Sequence, residues 1–385
     1  MADPRSFWTY AFIVIVIALM AFGLVMVYSA SFADSIDSGI APIRAMRMQF
    51  IATILGIVVA VIIWRMLPLR WLSGDLAYLI WLACFALVVL TALFGTEAFG
   101  AKRWFVIGSL EFQPSELMKL AVVILAAKVF ADYHRGEMPL LQAVIIFLLG
   151  VGLPLGVILI GQSDLGTTMI CAVGIISVML LGGFSKVATG VITLLGVAAG
   201  VLAIAGTPYR RARLAVWLDP FSDPLGDGYQ VIHSYYALAE GGLFGVGLGQ
   251  SHEKFQYLPF AQNDFIFAII GEELGLVGAI FVVLLFFGLL LSGLAIAFRC
   301  NDEFGKMVAG AVVIMVVFEA FLNIACVIGL FPVTGKPLPF ISQGGTSLLV
   351  VIASMGLVLA ASKDYDGDDL YVKRRGNLRL LRGSR

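Results

Sequence analysis

Residues 7–28 read FWTYAFIVIVIALMAFGLVMVY, an almost uninterrupted run of apolar side chains. A helix that crosses a bilayer needs about 20 such residues. The run is too long for the apolar core of a secretory leader and lacks a small-residue cleavage motif, so we expect it to be kept as a first membrane span. This stretch decides the fold class, because the same pattern recurs along the chain.

The composition agrees with a membrane protein. Of 385 residues, 61% are hydrophobic and only 13% are charged, and the mean hydropathy is +1.00. A soluble domain would carry about 25% charged residues. The net charge is zero and no basic domain is present, which excludes a nucleic-acid-binding protein. The four cysteines indicate neither a disulfide framework nor a metal site.

Ten apolar segments predict an all-α polytopic membrane protein that forms one domain over residues 1–385. The predicted spans are residues 7–28, 49–66, 75–94, 115–131, 140–160, 165–183, 187–206, 264–298, 306–330 and 341–361. The eighth segment is long enough to tilt or to protrude from the bilayer. A loop at about 207–263 joins the seventh and eighth spans, and a charged tail follows at about 362–385.

Most of the Lys and Arg residues in the connections fall on one side if the N-terminus is cytoplasmic. An even number of spans then returns the basic tail to the cytoplasm as well. The sequence therefore predicts cytoplasmic N- and C-termini and places the loop 207–263 outside the cell.

The stretch AQNDFIFAIIGEELG, residues 261–275, carries three carboxylates next to or inside an apolar segment. Asp264 is either the N-cap of the eighth helix or a reactive carboxylate at the boundary between water and membrane. Glu272 and Glu273 lie deeper, and we expect them to be structural and to form hydrogen bonds with polar loops.

The stretch PSELMKL, residues 114–120, places Glu116 and Lys119 three residues apart on one helix face. Charges in a membrane helix are costly unless they are paired or face a polar cavity. Two interpretations remain open: an ion pair that orients the helix, or a pair that lines a cavity, which we favour slightly.

Lys and Arg residues of membrane proteins are usually concentrated in the cytoplasmic loops, but this chain also has several on its predicted outer side. Arg210, Arg211 and Arg213 cluster in PYRRARL, which suits a phosphate group, although they could also be anchors at the lipid headgroups. Further outer cations that could support a phosphate site are Arg44, Arg47 and Arg103.

The junction between the last two spans, FPVTGKPLPFISQGGTSLL, is rich in proline and glycine. Irregular backbone at membrane depth must be buried in protein or line a cavity. Lys336, Ser342 and Gln343 there could bind a polar headgroup, or the segment could be a simple tight turn. In QSDLGTT, Asp164 is expected to cap a helix.

Six ordered motifs resemble the SEDS family (shape, elongation, division and sporulation proteins), which includes FtsW, SpoVE and RodA. They are AKRWFVIGSLEFQPSELMKL, QSDLGTTM, RRARLAVWLDPFSDPLGDGYQ, GGLFGVGLGQSHEKFQYLP, NDFIFAIIGEELG and TGKPLPFISQGGTSLL. The fourth motif looks closer to the FtsW and SpoVE branch than to RodA. The chain departs from the family where His-Thr-Asp is usual, with Gln262 and Asn263 before Asp264, and at Gln343 in the Ile-Ser-x-Gly-Gly motif.

The resemblance implies a peptidoglycan glycosyltransferase that polymerises lipid II, an undecaprenyl-pyrophosphate-linked disaccharide-pentapeptide, during cell division or cell-shape maintenance. The essential aspartate of the family falls on Asp264, and its membrane Glu and Lys fall on Glu116 and Lys119. The resemblance also implies ten membrane helices in the bacterial cytoplasmic membrane. Expected partners are a class B penicillin-binding protein, divisome or elongasome proteins and membrane lipids.

Residues and resemblance suggest the same chemistry. Asp264 would take the proton of the acceptor 4-hydroxyl, while Lys119 and the arginine cluster would stabilise the departing pyrophosphate, a task that a divalent cation (Mg²⁺ or Mn²⁺) could share. A lipid II flippase and a non-catalytic scaffold for a transpeptidase are the alternatives. Transporters often have two related halves, which this sequence lacks.

Overall fold

The computed structural model describes residues 4–32, 43–98, 101–107, 110–255 and 257–363. All ten predicted spans are helical. In chain order the helices are α1 (Pro4–Ala30), α2 (Ile43–Met66), α3 (Leu69–Leu72), α4 (Leu76–Phe94), α5 (Pro114–His134), α6 (Leu140–Gly156), α7 (Leu165–Leu181), α8 (Lys186–Ala205), α9 (Pro208–Leu218), α10 (Tyr229–Gly241), α11 (Ile266–Arg299), α12 (Glu303–Val327) and α13 (Gly345–Ala361). A turn of π-helix, Val157–Gly161, prolongs α6.

Within the described residues, seven helices are long and apolar enough to cross a membrane. They belong to α1, α2, α4, α6 with its π-helical turn, α8, α11 and α12, whereas α7 and α13 are shorter apolar helices. Helix α5 carries several charges and is buried by protein along most of its length. The prediction of a helical polytopic membrane protein is confirmed.

A small sheet corrects the all-α prediction between α4 and α5. Three antiparallel strands, β1 (Thr96–Ala98), β2 (Ala101–Ile107) and β3 (Leu110–Phe112), pair in sequence order. Strand β2 holds consecutive bulky residues, Trp104, Phe105 and Val106, which favour extended backbone. The sheet lies in a connection and leaves the helical bundle unchanged.

Helix α11 is two helices joined at a break. Gly275 has φ 65° and ψ −165°, which a residue with a side chain rarely adopts. The backbone amides of Leu276 and Val277 beyond the break donate to the carbonyls of Gly242 and Leu243, at 2.9 and 3.2 Å. These bonds replace helical partners with the loop that follows α10.

The two parts of α11 differ in burial. Residues 266–273 are all buried in protein, whereas side chains soon after the break are about half exposed, including Leu276 at 51% and Val277 at 56%. The 24 residues from 276 to 299 measure about 36 Å, enough to cross a bilayer alone. Of the two possibilities for the long eighth span, this break favours protrusion, which stays a prediction.

The segment predicted as a long loop, about 207–263, is largely ordered and contains α9, α10 and a turn of 3-10 helix at Pro220–Ser222. Helix α12 lies at the centre of the bundle, where it packs against α5, α7, α11 and α13. Helix α8 lies at the periphery with little of its surface covered. The predicted C-terminal tail lies outside the described residues, apart from Ser362 and Lys363.

Candidate active site

An open cavity of 1540 Å³ lies where the sheet, α9 and the segments before α11 and α13 meet. Its ionisable lining residues are Arg103, Glu111, Arg213, Asp227, Asp264 and Lys336. Apolar side chains of α2 and α13, such as Ile51, Leu55 and Leu349, form another part of its wall. One region of the cavity wall is therefore polar and another is apolar.

Asp264 lies in the wall of this cavity, just before α11. Its side chain does not cap that helix, because Phe265 is the N-cap residue and the first turn receives no side-chain hydrogen bond. The N-cap interpretation is therefore wrong. Burial raises the pKa of the Asp264 carboxyl above its ordinary value, and the backbone amide of Asp264 and the Arg213 guanidinium partly oppose that rise.

Arg213 reaches the cavity from α9. Its Nη1 atom donates to the carbonyl of Val333 at 2.8 Å. Gly335 lies between this guanidinium and the Asp264 carboxylate, and φ at this glycine is +66°. The segment 331–344 therefore passes directly beside the candidate base.

Arg103 enters from β2 on another side of the cavity. Its Nε donates to the carbonyl of Gln162 at 2.8 Å, and its Nη2 donates to that of Ser163 at 2.7 Å. Ser163 has φ +50°, a strained value for a residue with a side chain. Arg103 thus holds the turn before α7 and brings a positive charge to the cavity.

Lys336 is almost fully buried although it contributes to the cavity wall. Its Nζ lies 2.7 Å from Oδ2 of Asp164 and donates to Oγ1 of Thr167. Asp164 caps α7 as predicted, since its Oδ1 accepts from the Thr167 amide at 2.9 Å. Burial would raise the pKa of the Asp164 carboxyl, but Lys336 and Arg103 hold it well below its usual range.

Ser342 and Gln343 lie in the same segment with different roles. Ser342 is buried, and its Oγ accepts from the amide of Leu338 at 2.7 Å, so it shapes the loop. Gln343 lines the cavity, and its amide nitrogen in the backbone donates to the carbonyl of Gln262 at 2.9 Å. Of the two, only Gln343 belongs to the cavity lining.

The structure separates the arginine cluster. Arg213 lines the cavity, whereas Arg210 donates to the carbonyls of Ala203 and Leu159 at 2.9 and 2.6 Å and ties α8 to the π-helical turn. Arg211 is exposed and is not part of the cavity lining. Arg210 and Arg213 are three residues apart on one side of α9, so their different hydrogen-bond partners, and not the helical spacing, separate their roles.

Of the two arginines of α2, only Arg47 has a described side chain. Arg47 is exposed and does not line the cavity, although the next residues, Met48 and Gln49, do. Arg44 belongs to α2, but its side chain lies outside the described residues. A role for these two in substrate binding stays a prediction.

Glu116 and Lys119 form a buried ion pair, with Nζ of Lys119 2.9 Å from a Glu116 oxygen. Glu319 of α12 is a third member, 2.7 Å from the same Nζ. None of the three lines the cavity. This geometry agrees with the interpretation that the ion pair orients the helix. Contact of Glu116 or Lys119 with a substrate stays a prediction.

Sequence reasoning missed two buried polar residues of α12, Glu319 and Asn323. Nδ2 of Asn323 donates to the backbone carbonyls of Asp264 and Lys336, both at 2.7 Å. The signal was present, because polar residues inside an apolar helix are usually functional or paired.

Glu272 and Glu273 are structural, as predicted. Glu272 accepts from the Ser251 hydroxyl at 2.6 Å and from the His252 amide. Glu273 forms a buried salt bridge of 2.8 Å with Lys254. Both carboxylates therefore hold the loop that follows α10 against the first part of α11.

A metal-binding geometry occurs away from the cavity. Among the described residues, Glu240, His252 and Glu272 could bring their ligand atoms within 4.8 Å of one another. None of them lines the cavity, and both oxygens of Glu272 already accept hydrogen bonds.

Comparison with known proteins agrees with the motifs. The model of the FtsW, RodA and SpoVE family, described as "Cell cycle protein", matches residues 9–366. A probable peptidoglycan glycosyltransferase FtsW from Synechocystis sp. is 38% identical over 354 residues, which cover 90% of this chain and 87% of the relative. Stage V sporulation protein E from Bacillus subtilis is 38% identical over 364 residues, covering 91% and 96%.

A peptidoglycan glycosyltransferase of the RodA type, MrdB from Escherichia coli, is slightly more distant, at 34% identity over 93% of this chain and 95% of the relative. Among solved structures, one that describes the coordination of polymerization and crosslinking by a peptidoglycan synthase complex contains a similar chain. That chain has a TM-score of 0.74 and 29% identity, over 92% of this chain and 98% of its own length. The protein therefore belongs to the SEDS family, and it is slightly more similar to FtsW and SpoVE than to RodA.

Proposed function

We propose that this protein, a peptidoglycan glycosyltransferase, polymerises lipid II in the open cavity with Asp264 as the general base. The observation that carries the proposal is the placement of one half-buried carboxylate, Asp264, in the same cavity as the cationic side chains of Arg103, Arg213 and Lys336. A base and positive charge are the two requirements for moving a sugar off a pyrophosphate.

Asp264 supplies the base. The acceptor 4-hydroxyl gives its proton to the Asp264 carboxylate while its oxygen attacks C1 of the donor sugar. The bond from C1 to the pyrophosphate oxygen breaks, and that oxygen keeps the electron pair. Because the donor is α-linked and the glycan is β-1,4, this is a single displacement with inversion and without a covalent sugar–enzyme intermediate.

Arg213 and Arg103 supply the positive charge for the leaving group. Guanidinium groups match phosphate oxygens in geometry, and they act most strongly in a partly dry site. Both side chains are fixed by hydrogen bonds to backbone carbonyls, so little reorganisation is needed as charge develops on the pyrophosphate. Lys336 contributes less positive charge to the cavity than the two arginines, because its ammonium group is paired with the Asp164 carboxylate.

The apolar part of the cavity suits the prenyl chain of the substrate. Ile51 and Leu55 of α2 are 45% and 49% exposed, and they line the cavity together with Leu349 and Val350 of α13. A lipid tail lying along the exposed apolar side chains of α2 and α13 would bring its pyrophosphate up to the polar region. This arrangement covers apolar side chains that would otherwise face lipid directly.

The cavity faces the outer side of the cytoplasmic membrane in this proposal, with both termini in the cytoplasm. The partner is a transpeptidase, which would crosslink the strands that this protein makes. We further propose that it is a class B penicillin-binding protein acting in the division or elongation machinery. The synthase complex that contains a similar chain supports this pairing.

Polymerisation of purified lipid II by wild type and Asp264→Asn tests the base. We expect glycan strands from the wild type and none from the variant, because the amide cannot take the proton. Folding is checked by size exclusion, and Mg²⁺, Mn²⁺ and a chelator are compared in parallel. Full activity of a folded Asp264→Asn variant would refute the assignment.

The same proteoliposomes separate the alternative functions. A flippase would move unchanged lipid II between leaflets without forming strands, and a scaffold would do neither unless its transpeptidase were added. Strands made by the protein alone exclude both.

A further inference from the structure

The Asn323 side chain donates hydrogen bonds to both the Asp264 and the Lys336 segments. Its Nδ2 lies 2.7 Å from the carbonyl oxygen of Asp264 and 2.7 Å from that of Lys336. The side chain is 2% exposed. One amide group therefore uses both of its N–H bonds to join the segment of the candidate base to the cation segment.

Neither of these segments is supported by regular secondary structure. Asp264 ends a series of turns before α11, and Lys336 lies in a stretch without helix or strand. Backbone carbonyls in such segments need donors from side chains when water is excluded. Asn323 provides them from α12, a central and largely buried helix of the bundle.

Other contacts fix the same stretch but none of them replaces Asn323. Arg213 donates to Val333, and Sγ of Cys326 lies 3.1 Å from the carbonyl of Pro332. These bonds act upstream of Gly335, whereas Asn323 acts on its far side. Loss of Asn323 would remove the donor of both backbone carbonyls at once, while the Lys336 side chain stays paired with Asp164 and the Gln343 amide still donates to Gln262.

We infer that Asn323 is a positioning residue for polymerisation, which sets the distance between the Asp264 carboxylate and the cations that face it. The inference rests on the proposed role of Asp264. Asn323 does not touch the substrate; it acts through the backbone of the two residues that it joins. A displacement of about 1 Å at a reacting group lowers a rate strongly while substrate binding elsewhere is kept.

Lipid II polymerisation by Asn323→Ala and Asn323→Ser tests this inference. The alanine variant loses both donors, and we expect kcat to fall by about tenfold or more with KM within about threefold of wild type. Serine keeps one O–H donor, which can serve only one of the two carbonyls, so we expect an intermediate kcat. The serine variant also serves as the test if the alanine variant does not fold.

Ser292→Ala is the matched control. Ser292 is also buried in a membrane helix, but its hydroxyl bonds only to its own helix, to the carbonyl of Gly288 at 2.7 Å. We expect wild-type kcat from this variant. If activity fell only because a buried polar side chain had been removed from a membrane helix, the control and the Asn323 variants would lose activity alike.

The outcomes separate this inference from the proposed function. Folded Asn323 variants with wild-type kcat would overturn the positioning role if Asp264→Asn is inactive. A fully active Asp264→Asn variant would overturn the base itself, and with it the basis of the inference. Loss of binding alone, with KM raised and kcat unchanged, would also contradict a positioning role.

Discussion

Asp264 and Arg213 converge on the same point of the backbone: a methyl group built on Gly335 would lie 3.8 Å from Oδ2 of the aspartate and 3.9 Å from Nη1 of the arginine. A carboxylate and a guanidinium thus both lie close to this one glycine. The relationship links the protonation of the base to a cation that the substrate also needs.

The first prediction concerns pH. Burial raises the pKa of the Asp264 carboxyl and Arg213 opposes this, so Arg213→Gln should raise that pKa further. Since the base works only when it is ionised, the acid limb of kcat/KM should move to higher pH. The measured quantity is the pH at the midpoint of this limb, because the plateau value of kcat/KM also depends on phosphate binding. Arg211→Gln, which changes an exposed neighbour, should leave the midpoint in place; an equal shift there would argue against a local effect.

Arg210 should matter for stability more than for chemistry. Arg210→Gln removes the guanidinium donors of the part-buried carbonyls of Ala203 and Leu159, a loss that costs up to about 1–3 kcal/mol. We expect a lower unfolding temperature in detergent and a near-normal KM for lipid II. A raised KM without loss of stability would instead favour the original prediction that Arg210 binds phosphate.

The buried pair of Lys336 and Asp164 can be tested by a double-mutant cycle. Breaking one partner of such a pair typically costs about 3–5 kcal/mol, because the other charge stays buried alone. Lys336→Met and Asp164→Asn should each lower the unfolding temperature, and the double variant should be more stable than the sum of the single losses predicts. Strictly additive losses would show that the two charges are not coupled.

The triad of Glu116, Lys119 and Glu319 holds two carboxylates for one ammonium group. Lys119→Met leaves both carboxylates without a counter-ion, and we expect strong destabilisation, of about 3–5 kcal/mol. Glu116→Gln keeps the pair between Lys119 and Glu319 and should be far milder. If Glu116→Gln stays stable but loses polymerisation, Glu116 has the substrate role that the sequence predicts.

Much of the bundle could be predicted because hydropathy is local. Every predicted span is a helix, and most boundaries agree within a few residues; α2 begins earlier, at Ile43. The sheet could not be foreseen, because its strands are short and depend on pairing partners. The break at Gly275 could not be predicted either, because a glycine inside an apolar run forms a turn only when another segment supplies the hydrogen bonds.

The site was predictable in residue type but not in placement. The cluster PYRRARL correctly indicated cations, but only the tertiary contacts of the folded chain decide that Arg213 lines the cavity and Arg210 does not. Lys336 looked like a substrate ligand, yet its partner Asp164 is 172 residues away in the chain. Ion pairs between residues so far apart in the sequence depend on how the helices pack, and sequence motifs do not predict that packing.

The break at Gly275 also bears on biosynthesis. The translocon meets one continuous apolar stretch from Ile266 to Arg299, whose folded form has a break at Gly275. If only the part after the break spans the bilayer, the part before it must leave the insertion pore for the site where Glu273 pairs with Lys254. Maturation of the candidate site would then lag behind insertion, because residues 266–274 reach their buried position only when the loop that follows α10 packs over them.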